Sequence, residues 1–389
     1  MKILYLTGLD EQDREKCGIL GKIRGQINSF ERAGIDVCFA RFCGKSCLTI
    51  SGLADDICVK ASGKTIRERL ASVYDDLFSI IVREQIRKVY IRFTSLDSRA
   101  ICFYKRLKKE NISIIIEFYS HNLELEALKT VQRNIKNRKY LEAMKGLASL
   151  QLNRLYFPKL HNYVDRIVTT TPVGDMYGIP TINVVNGIDI ASSVIRIKES
   201  NSYDFNIISV AMISPWHGYD RIIKGISQYY IAGGTANIRY TVVGDGEERP
   251  SLEKLVYSLG LQAHVEFVGI KLNEELIPYY NQADIAIEML AGFRRTKGHI
   301  SSIKMAEYFA KGIPVVYSGD GDSYNEEIAR YCYRVSNDDS PVNISRMIDF
   351  CKSLQSEEKD VEKNMHDIAS KYFDWSVTMK DLCDFVIKN

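Results

Sequence analysis

Glu307 is the residue whose type and setting most directly suggest chemistry, and it lies in the run SSIKMAEYFAKGIPVVYS, residues 301–318. Ser301 and Ser302 offer N-caps, IKMAEYFAK follows as a helix former, Gly312 supplies a left-handed C-cap, and Pro314 stops the helix before a buried strand. A helix start presents unpaired backbone N–H groups and a positive dipole end, which suits a diphosphate cradled by Ser301, Ser302, Ile303 and Lys304. Glu307, farther along the same helix, can then accept hydrogen bonds from a ribose. A plainer arrangement pairs Glu307 with Lys304 or Lys311, three and four residues away. Just beyond, Asp320 and Asp322 form a D-x-D that can hold a divalent cation, although its place after a buried strand reads as an ordinary acidic loop.

The elements that must position these residues alternate in type. KILYLT, GKIRGQINSFERAG and IDVCFARF open a strand–helix–strand series; KVYIRF, ISIIIEF and RIVTTT continue it. A capping box from Thr65 to Glu68 announces a helix with Leu70, Val73, Leu77 and Ile81 on one face. The polar stretch KESNSYDF, residues 198–205, reads as a linker to a second alternation, NIISVAMI, IRYTVVG, HVEFVG, DIAIEML and IPVVY. Two Rossmann-like α/β domains follow, with ligands expected outside the carboxyl ends of the strands. The glycines of VVGDGEERP read as a strand-ending turn, since no G-x-G-x-x-G or G-x-x-x-x-G-K-[ST] occurs; this weighs against dehydrogenase and NTPase readings.

Composition agrees. A chain of 389 residues exceeds one ordinary core, and 46% hydrophobic with 26% charged residues is the balance of a globular protein. A net charge of +3 is too slight to imply nucleic acid. No apolar run reaches a membrane span, and MKILYLTGLDEQD lacks a signal-peptide pattern, so a cytoplasmic location is expected. Nine cysteines without a C-x-x-C fit reduced thiols there. Cys38, Cys43, Cys47 and Cys58 crowd one segment with no histidine near, which favours packing over zinc.

Seven stretches in register, GILGKIRGQINSFERAG, YIRF with ISIIIEFYSHNLELE, VVNGIDI, VAMISPWHGYDRII, VVGDGEERPSLEKL, VEFVGIKLNEELIPYYNQADIAI and SSIKMAEYFAKGIPVV, resemble the family 4 retaining glycosyltransferases of the GT-B fold, particularly those of bacterial surface polysaccharides. The resemblance implies an acceptor-binding domain over residues 1–190, a nucleotide-sugar domain over 191–365, a deep cleft between them, and a C-terminal helix over 366–389 that returns to the first domain. Its Trp375, Met379, Leu382 and Phe385 share one face. Glu307 matches the second glutamate of the family's E-x7-E motif, which grips the donor ribose; Ile270 falls among the implied donor contacts. Gly18 and Gly21 match a loop that approaches the reacting phosphate, and Lys22 faces the same side. His121 falls where relatives contact the transferred sugar, or is a turn residue; Glu124 and Glu126 can orient an acceptor or simply favour a helix start. Asn186, Gly187 and Asp189 match the hinge.

The departures from the pattern are specific. His299 replaces the first glutamate of E-x7-E, and the usual phosphate-binding arginine and lysine fall on Met212 and His217. Arg294, Arg295 and Lys297, in a glycine-flanked loop, can replace those cations or form solvated surface; His217 can donate to phosphate or serve the core. No metal or other cofactor is implied beyond the nucleotide sugar. Between Lys129 and Arg154 lie seven basic residues and one acid, above an apolar series Leu128, Val131, Ile135, Leu141, Met144 and Leu147. That series is either core or the basis of contact with an anionic inner membrane surface carrying a lipid-linked glycan acceptor. A non-catalytic, glycan-binding subunit of the same fold is the alternative that the departures motivate.

Overall fold

A computed structural model describes residues 1–13, 17–94, 96–118, 123–294, 302–319 and 325–388, without the side chain of Cys17. Two compact units divide it: Met1–Val185 with Trp375–Asn389, and Asn186–Asp374.

The first unit contains β1 (Lys2–Asp10), α1 (Cys17–Arg32), β2 (Asp36–Phe42), β3 (Cys47–Ser51), β4 (Ile57–Lys60), α2 (Ile66–Arg83), β5 (Lys88–Arg92), α3 (Ser98–Lys109), β6 (Ser113–Glu117), α4 (Leu123–Lys136), α5 (Tyr140–Tyr156), β7 (Arg166–Thr169), β8 (Asp175–Met176) and β9 (Ile179–Asn183). The strands form one sheet in the order β4-β3-β2-β1-β5-β6-β7-β9-β8. It is parallel from β2 to β9, with antiparallel β3, β4 and β8 at its margins. Strand order reverses between β1 and β5, the switch point at which such sheets bind ligands. Thr65 and Glu68 make the expected capping box, and Leu70, Val73, Leu77 and Ile81 are buried beneath it.

The second unit contains β10 (Phe205–Val210), α6 (Tyr219–Ile231), β11 (Ile238–Val243), α7 (Arg249–Ser258), β12 (Val265–Gly269), α8 (Ile277–Gln282), β13 (Ile285–Ile287), α9 (Ile303–Lys311), β14 (Val315–Ser318), α10 (Glu326–Ala329), β15 (Cys332–Val335), α11 (Ile344–Glu357) and α12 (Val361–Tyr372). Its sheet, β12-β11-β10-β13-β14-β15, is wholly parallel and switches between β10 and β13. Gly244, after β11, brings the chain so close to the Ala211 carbonyl that a Cβ would sit 1.9 Å from it. A strand-ending turn therefore explains that glycine.

Several boundaries differ from those expected. The stretch 198–205 is pinned to the second unit, not free as a linker: Glu199 N–H donates to Asn281 O, and the buried Arg196 donates to Ala283 O and to Glu362 Oε1 at 3.1 Å. The division falls instead at Val185/Asn186, within the VVNGIDI segment. The expected helix over 366–389 is broken. Residues up to Tyr372 belong to α12, where Met365 and Ala369 are buried and Phe373 packs on Phe309 at 5.6 Å; α13 (Trp375–Thr378) and α14 (Lys380–Lys388) belong to the first unit. There Trp375, Met379 and Leu382 are buried, and the indole occupies the space that Gly25 of α1 leaves, a Cβ at that position falling 2.0 Å from Nε1. Cys47 and Cys58 are joined by a disulfide between β3 and β4, which corrects the expectation of reduced thiols throughout.

Candidate functional site

At the second unit's switch point, α9 is moored to both strands that flank it. The Tyr308 hydroxyl accepts from Val210 N–H of β10 at 3.0 Å and donates to Ile287 O of β13 at 3.3 Å. Ser302 caps the helix, its Oγ accepting from Lys304 N–H at 3.2 Å, and Gly312 closes it in a left-handed conformation. Lys304 Nζ donates to the Glu288 carbonyl just beyond β13. The helix start thus faces the carboxyl edge of the sheet, as the capping signals imply.

Glu307 is half-buried on α9 and accepts from the Tyr280 hydroxyl of α8 at 2.7 Å. Burial raises its carboxyl above the ordinary range, with Tyr280 and Lys311 opposing in part. Neither lysine takes the plainer role: Lys304 reaches Glu288, and Lys311 Nζ donates to Val194 O at 3.1 Å. Glu288, which sequence reasoning passed over, is 4% exposed at the same edge. Burial pushes its carboxyl up and pushes the Lys304 ammonium down to about 8, each held back by the other. Ile303 opens α9 half-buried, and Ile270 is exposed directly after β12.

One expected phosphate donor is otherwise engaged. All five N–H donors of the Arg294 guanidinium meet acceptors: Asp220 Oδ1 at 2.8 Å and Oδ2 at 3.1 Å, Pro215 O at 2.9 Å, and Asp339 Oδ1 twice, from Nε at 2.9 Å and from Nη2. The guanidinium clamps the first turn of α6 and the loop before it to the loop after β15. Burial alone would lower it, but the two carboxylates outweigh that and raise it. His217 is buried; its Nδ1 accepts from Ser214 N–H at 3.2 Å and its ring stacks on Tyr219 at 5.3 Å. It closes the turn before α6. Met212 is 58% exposed and brings no charge.

In the first unit, Lys22 is buried, with its Nζ 2.6 Å from Glu117 Oε1. Arg92 reaches the same oxygen at 3.2 Å, and the Tyr5 hydroxyl lies 3.4 Å from Oε2 while donating to Gln26 at 2.7 Å. Glu117 ends β6 and Arg92 ends β5, so the cluster marks the carboxyl edge of this sheet. Burial would raise the Glu117 carboxyl, but two cations hold it down at about 2; burial lowers Lys22, with Glu117 offsetting in part. Gly18 and Gly21 lie in the first turns of α1 and not in a loop before it; a Cβ at either would meet nothing within 4 Å, so the protein's own packing does not require those glycines. Glu124 is exposed and accepts from Arg154 Nε at 2.8 Å, and Glu126 is half-buried two residues on.

The apolar series between Lys129 and Arg154 is not one stripe. It spans two helices, α4 and α5, with Val131 buried, Leu128 half-buried and Ile135, Leu141, Met144 and Leu147 exposed; Tyr140, outside the series, is exposed as well. His121, Arg295, Lys297, His299, Ser301, Asp320 and Asp322 lie outside the described residues. Among the described residues, no group of three or more His, Cys, Asp and Glu is placed to hold a metal ion, and no helix is long and apolar enough to cross a membrane.

Residues 204–346, the core of the second unit, match the family model described as Glycosyl transferases group 1. The alpha-monoglucosyldiacylglycerol synthase of Acholeplasma laidlawii is 26% identical over 30% of this chain and 27% of its own length. The amylovoran biosynthesis glycosyltransferase AmsK of Erwinia amylovora is 29% identical over 35% of this chain and 33% of its own. The chain thus spans about a third or less of the curated relatives it matches. Anabaena Alr3699/HepE, solved in complex with UDP, superposes over 100% of both chains with a TM-score of 0.61 at 14% identity. The fold is GT-B.

Proposed function

We propose that the chain is a retaining glycosyltransferase, moving a hexosyl group from a nucleoside-diphosphate sugar to a hydroxyl of a lipid-linked glycan in bacterial surface-polysaccharide synthesis. The observation that carries this reading is the mooring of α9, which fixes a capped helix start and the Glu307 carboxylate at the switch point of the sheet. The second unit holds the donor: helix N–H groups meet the diphosphate and Glu307 meets the ribose. The first unit holds the acceptor. UDP in the Anabaena structure supports the donor class, and the names of the two relatives support a glycan or glycolipid product. The acceptor oxygen bonds to the anomeric carbon on the face from which the diphosphate departs. The old C–O bond's electrons leave with the phosphate, which takes the acceptor's proton, so configuration is retained. The scheme requires no metal.

The reading extends to peripheral contact with the inner membrane surface. Exposed Ile135, Tyr140, Leu141, Met144 and Leu147 beside Lys136, Lys139 and Lys145 favour it. A second reading, a non-catalytic, glycan-binding subunit of the same fold, is favoured by the engagement of Arg294. The test offers a panel of nucleotide sugars with bacterial membranes as acceptor source and measures released nucleoside diphosphate. Release with sugar incorporation into lipid supports the transferase. Retention of the protein on the membrane glycan with no release from any donor supports the second reading.

A further inference from the structure

We propose that Lys304 is the side-chain cation that receives the leaving diphosphate, in place of the arginine and lysine that Met212 and His217 replace. The inference rests on the functional reading above and assigns a residue to the departure of its diphosphate. Lys304 is the second residue of α9, and its backbone N–H is held by Ser302 Oγ at 3.2 Å. Its ammonium carries three donors, and the structure gives it one neutral acceptor, the Glu288 carbonyl. Arg294 has no donor left, and Lys311 lies at the opposite end of α9, roughly 10 Å along the axis. Lys304 therefore joins charge and helix start at one point. A diphosphate bound there draws the ammonium from Glu288 O onto phosphate oxygens and strengthens its hold as the C–O bond breaks.

The same geometry predicts a proton taken up on binding. Among the described residues, the ionisable groups around Lys304 are Glu288, just beyond β13, and, on its own helix, Glu307 and Tyr308; the Glu288 carboxyl in turn faces Tyr219 of α6 and Cys332 of β15. Burial keeps both tyrosines and the thiol protonated and pushes both carboxyls up, while it brings the Lys304 ammonium down to about 8. An amine half-protonated there binds up to about half a proton when a diphosphate raises its affinity for one.

Calorimetry of UDP, GDP and ADP, in two buffers of different ionisation heat at pH 8, tests this. Wild type is expected to take up about half a proton with the nucleotide it binds, Lys304→Arg to bind within about threefold with no uptake, and Lys304→Met to lose roughly ten- to a hundredfold in affinity. Thermal melts of both variants establish that they fold. If Lys304→Met binds as wild type does, or Lys304→Arg retains the uptake, Lys304 is not the cation, while the donor reading stands. If wild type binds none of the three, the donor reading fails and this inference falls with it.

Discussion

The Tyr280 hydroxyl donates to the Glu307 carboxylate at 2.7 Å, so a helix that contributes no strand to the sheet sets the direction of the residue assigned to the ribose. Glu307→Gln keeps the shape and removes the charge. It is expected to weaken binding of the nucleoside diphosphate roughly ten- to a hundredfold, the loss of a charged hydrogen-bond partner being about 1.5–3 kcal/mol. Tyr280→Phe should cost less, because it frees the carboxylate without deleting it. Calorimetry with the cognate nucleotide decides; equal affinities for wild type and Glu307→Gln would remove the ribose role.

Arg294→Ala is expected to lower stability, not donor affinity. Loss of the clamp leaves Asp220 and Asp339 without their shared partner, at a cost of about 1–2 kcal/mol because Asp339 is well exposed. Arg294→Lys should not restore it, since an ammonium cannot bridge two carboxylates and a carbonyl with five fixed donors. Urea unfolding with nucleotide binding on the folded protein separates the effects. A large loss of affinity at unchanged stability would return Arg294 to the phosphate.

Glu117 makes the first unit's stability depend on acid. Its folded carboxyl is depressed, so its contribution is present above the ordinary value of 4.5 and is lost as pH falls through about 2. That contribution is roughly 3 kcal/mol. Glu117→Gln strands Lys22 and Arg92 and should cost about 3–5 kcal/mol at pH 7. The gap from wild type should narrow between pH 4.5 and 2, as measured by denaturant midpoints. A gap independent of pH over that window would assign the cost to packing.

The α4–α5 surface should bind anionic vesicles in a salt-dependent way, with about 1 kcal/mol from each basic residue near the lipid and a Debye length of roughly 8 Å at physiological salt. Replacing Tyr140, Leu141 and Met144 together by serine should weaken flotation without altering the melt, because all three are exposed. Equal flotation with neutral and anionic lipid would leave the pair of helices a structural feature.

Gly25→Ala should loosen the last segment of the chain. The added methyl collides with the Trp375 indole, and overpacking of this kind costs about 1–3 kcal/mol. In a Trp216→Phe background, Trp375 emission should shift red. An unchanged spectrum and midpoint would mean that α1 and α13 yield to the methyl without cost.

What could be read from the sequence was local. The α9 helix announces itself through Ser302 and Gly312, signals that act within one turn of the residue they predict. The parallel sheets follow from apolar strands alternating with amphipathic helices. Pairings across long separations were not legible: Lys22 stood out, but Glu117 lies 95 residues away and reads as the last residue of an apolar strand. Arg294 showed its sign and not its partners, 74 and 45 residues distant. The run from Lys129 to Arg154 kept helical spacing across a break at 137–139, so one stripe was expected where two helices turn different faces outward. The end of α12 was missed for a related reason, because the hydrophobic period continues through Phe373 and Trp375 while the partners change.

The placement of Trp375 against Gly25 also fixes an order of assembly. The second unit is one uninterrupted stretch, Asn186–Asp374, and every residue it needs has been synthesised before the first unit receives its final piece. The first unit closes only when α13 and α14 reach α1, as in the bond from Ser29 Oγ to Trp375 O across 346 residues of chain. On the ribosome, the half of the protein made first is therefore the half completed last. Until the residues after Asp374 are made and reach α1, Ile23, Phe30 and Val37 of its core lack Met379, Leu382 and Val386, their neighbours in the finished cluster. A chain ending at Asp374 would carry every residue of the second unit and an unfinished first one, exposing an apolar surface of the kind that chaperones bind.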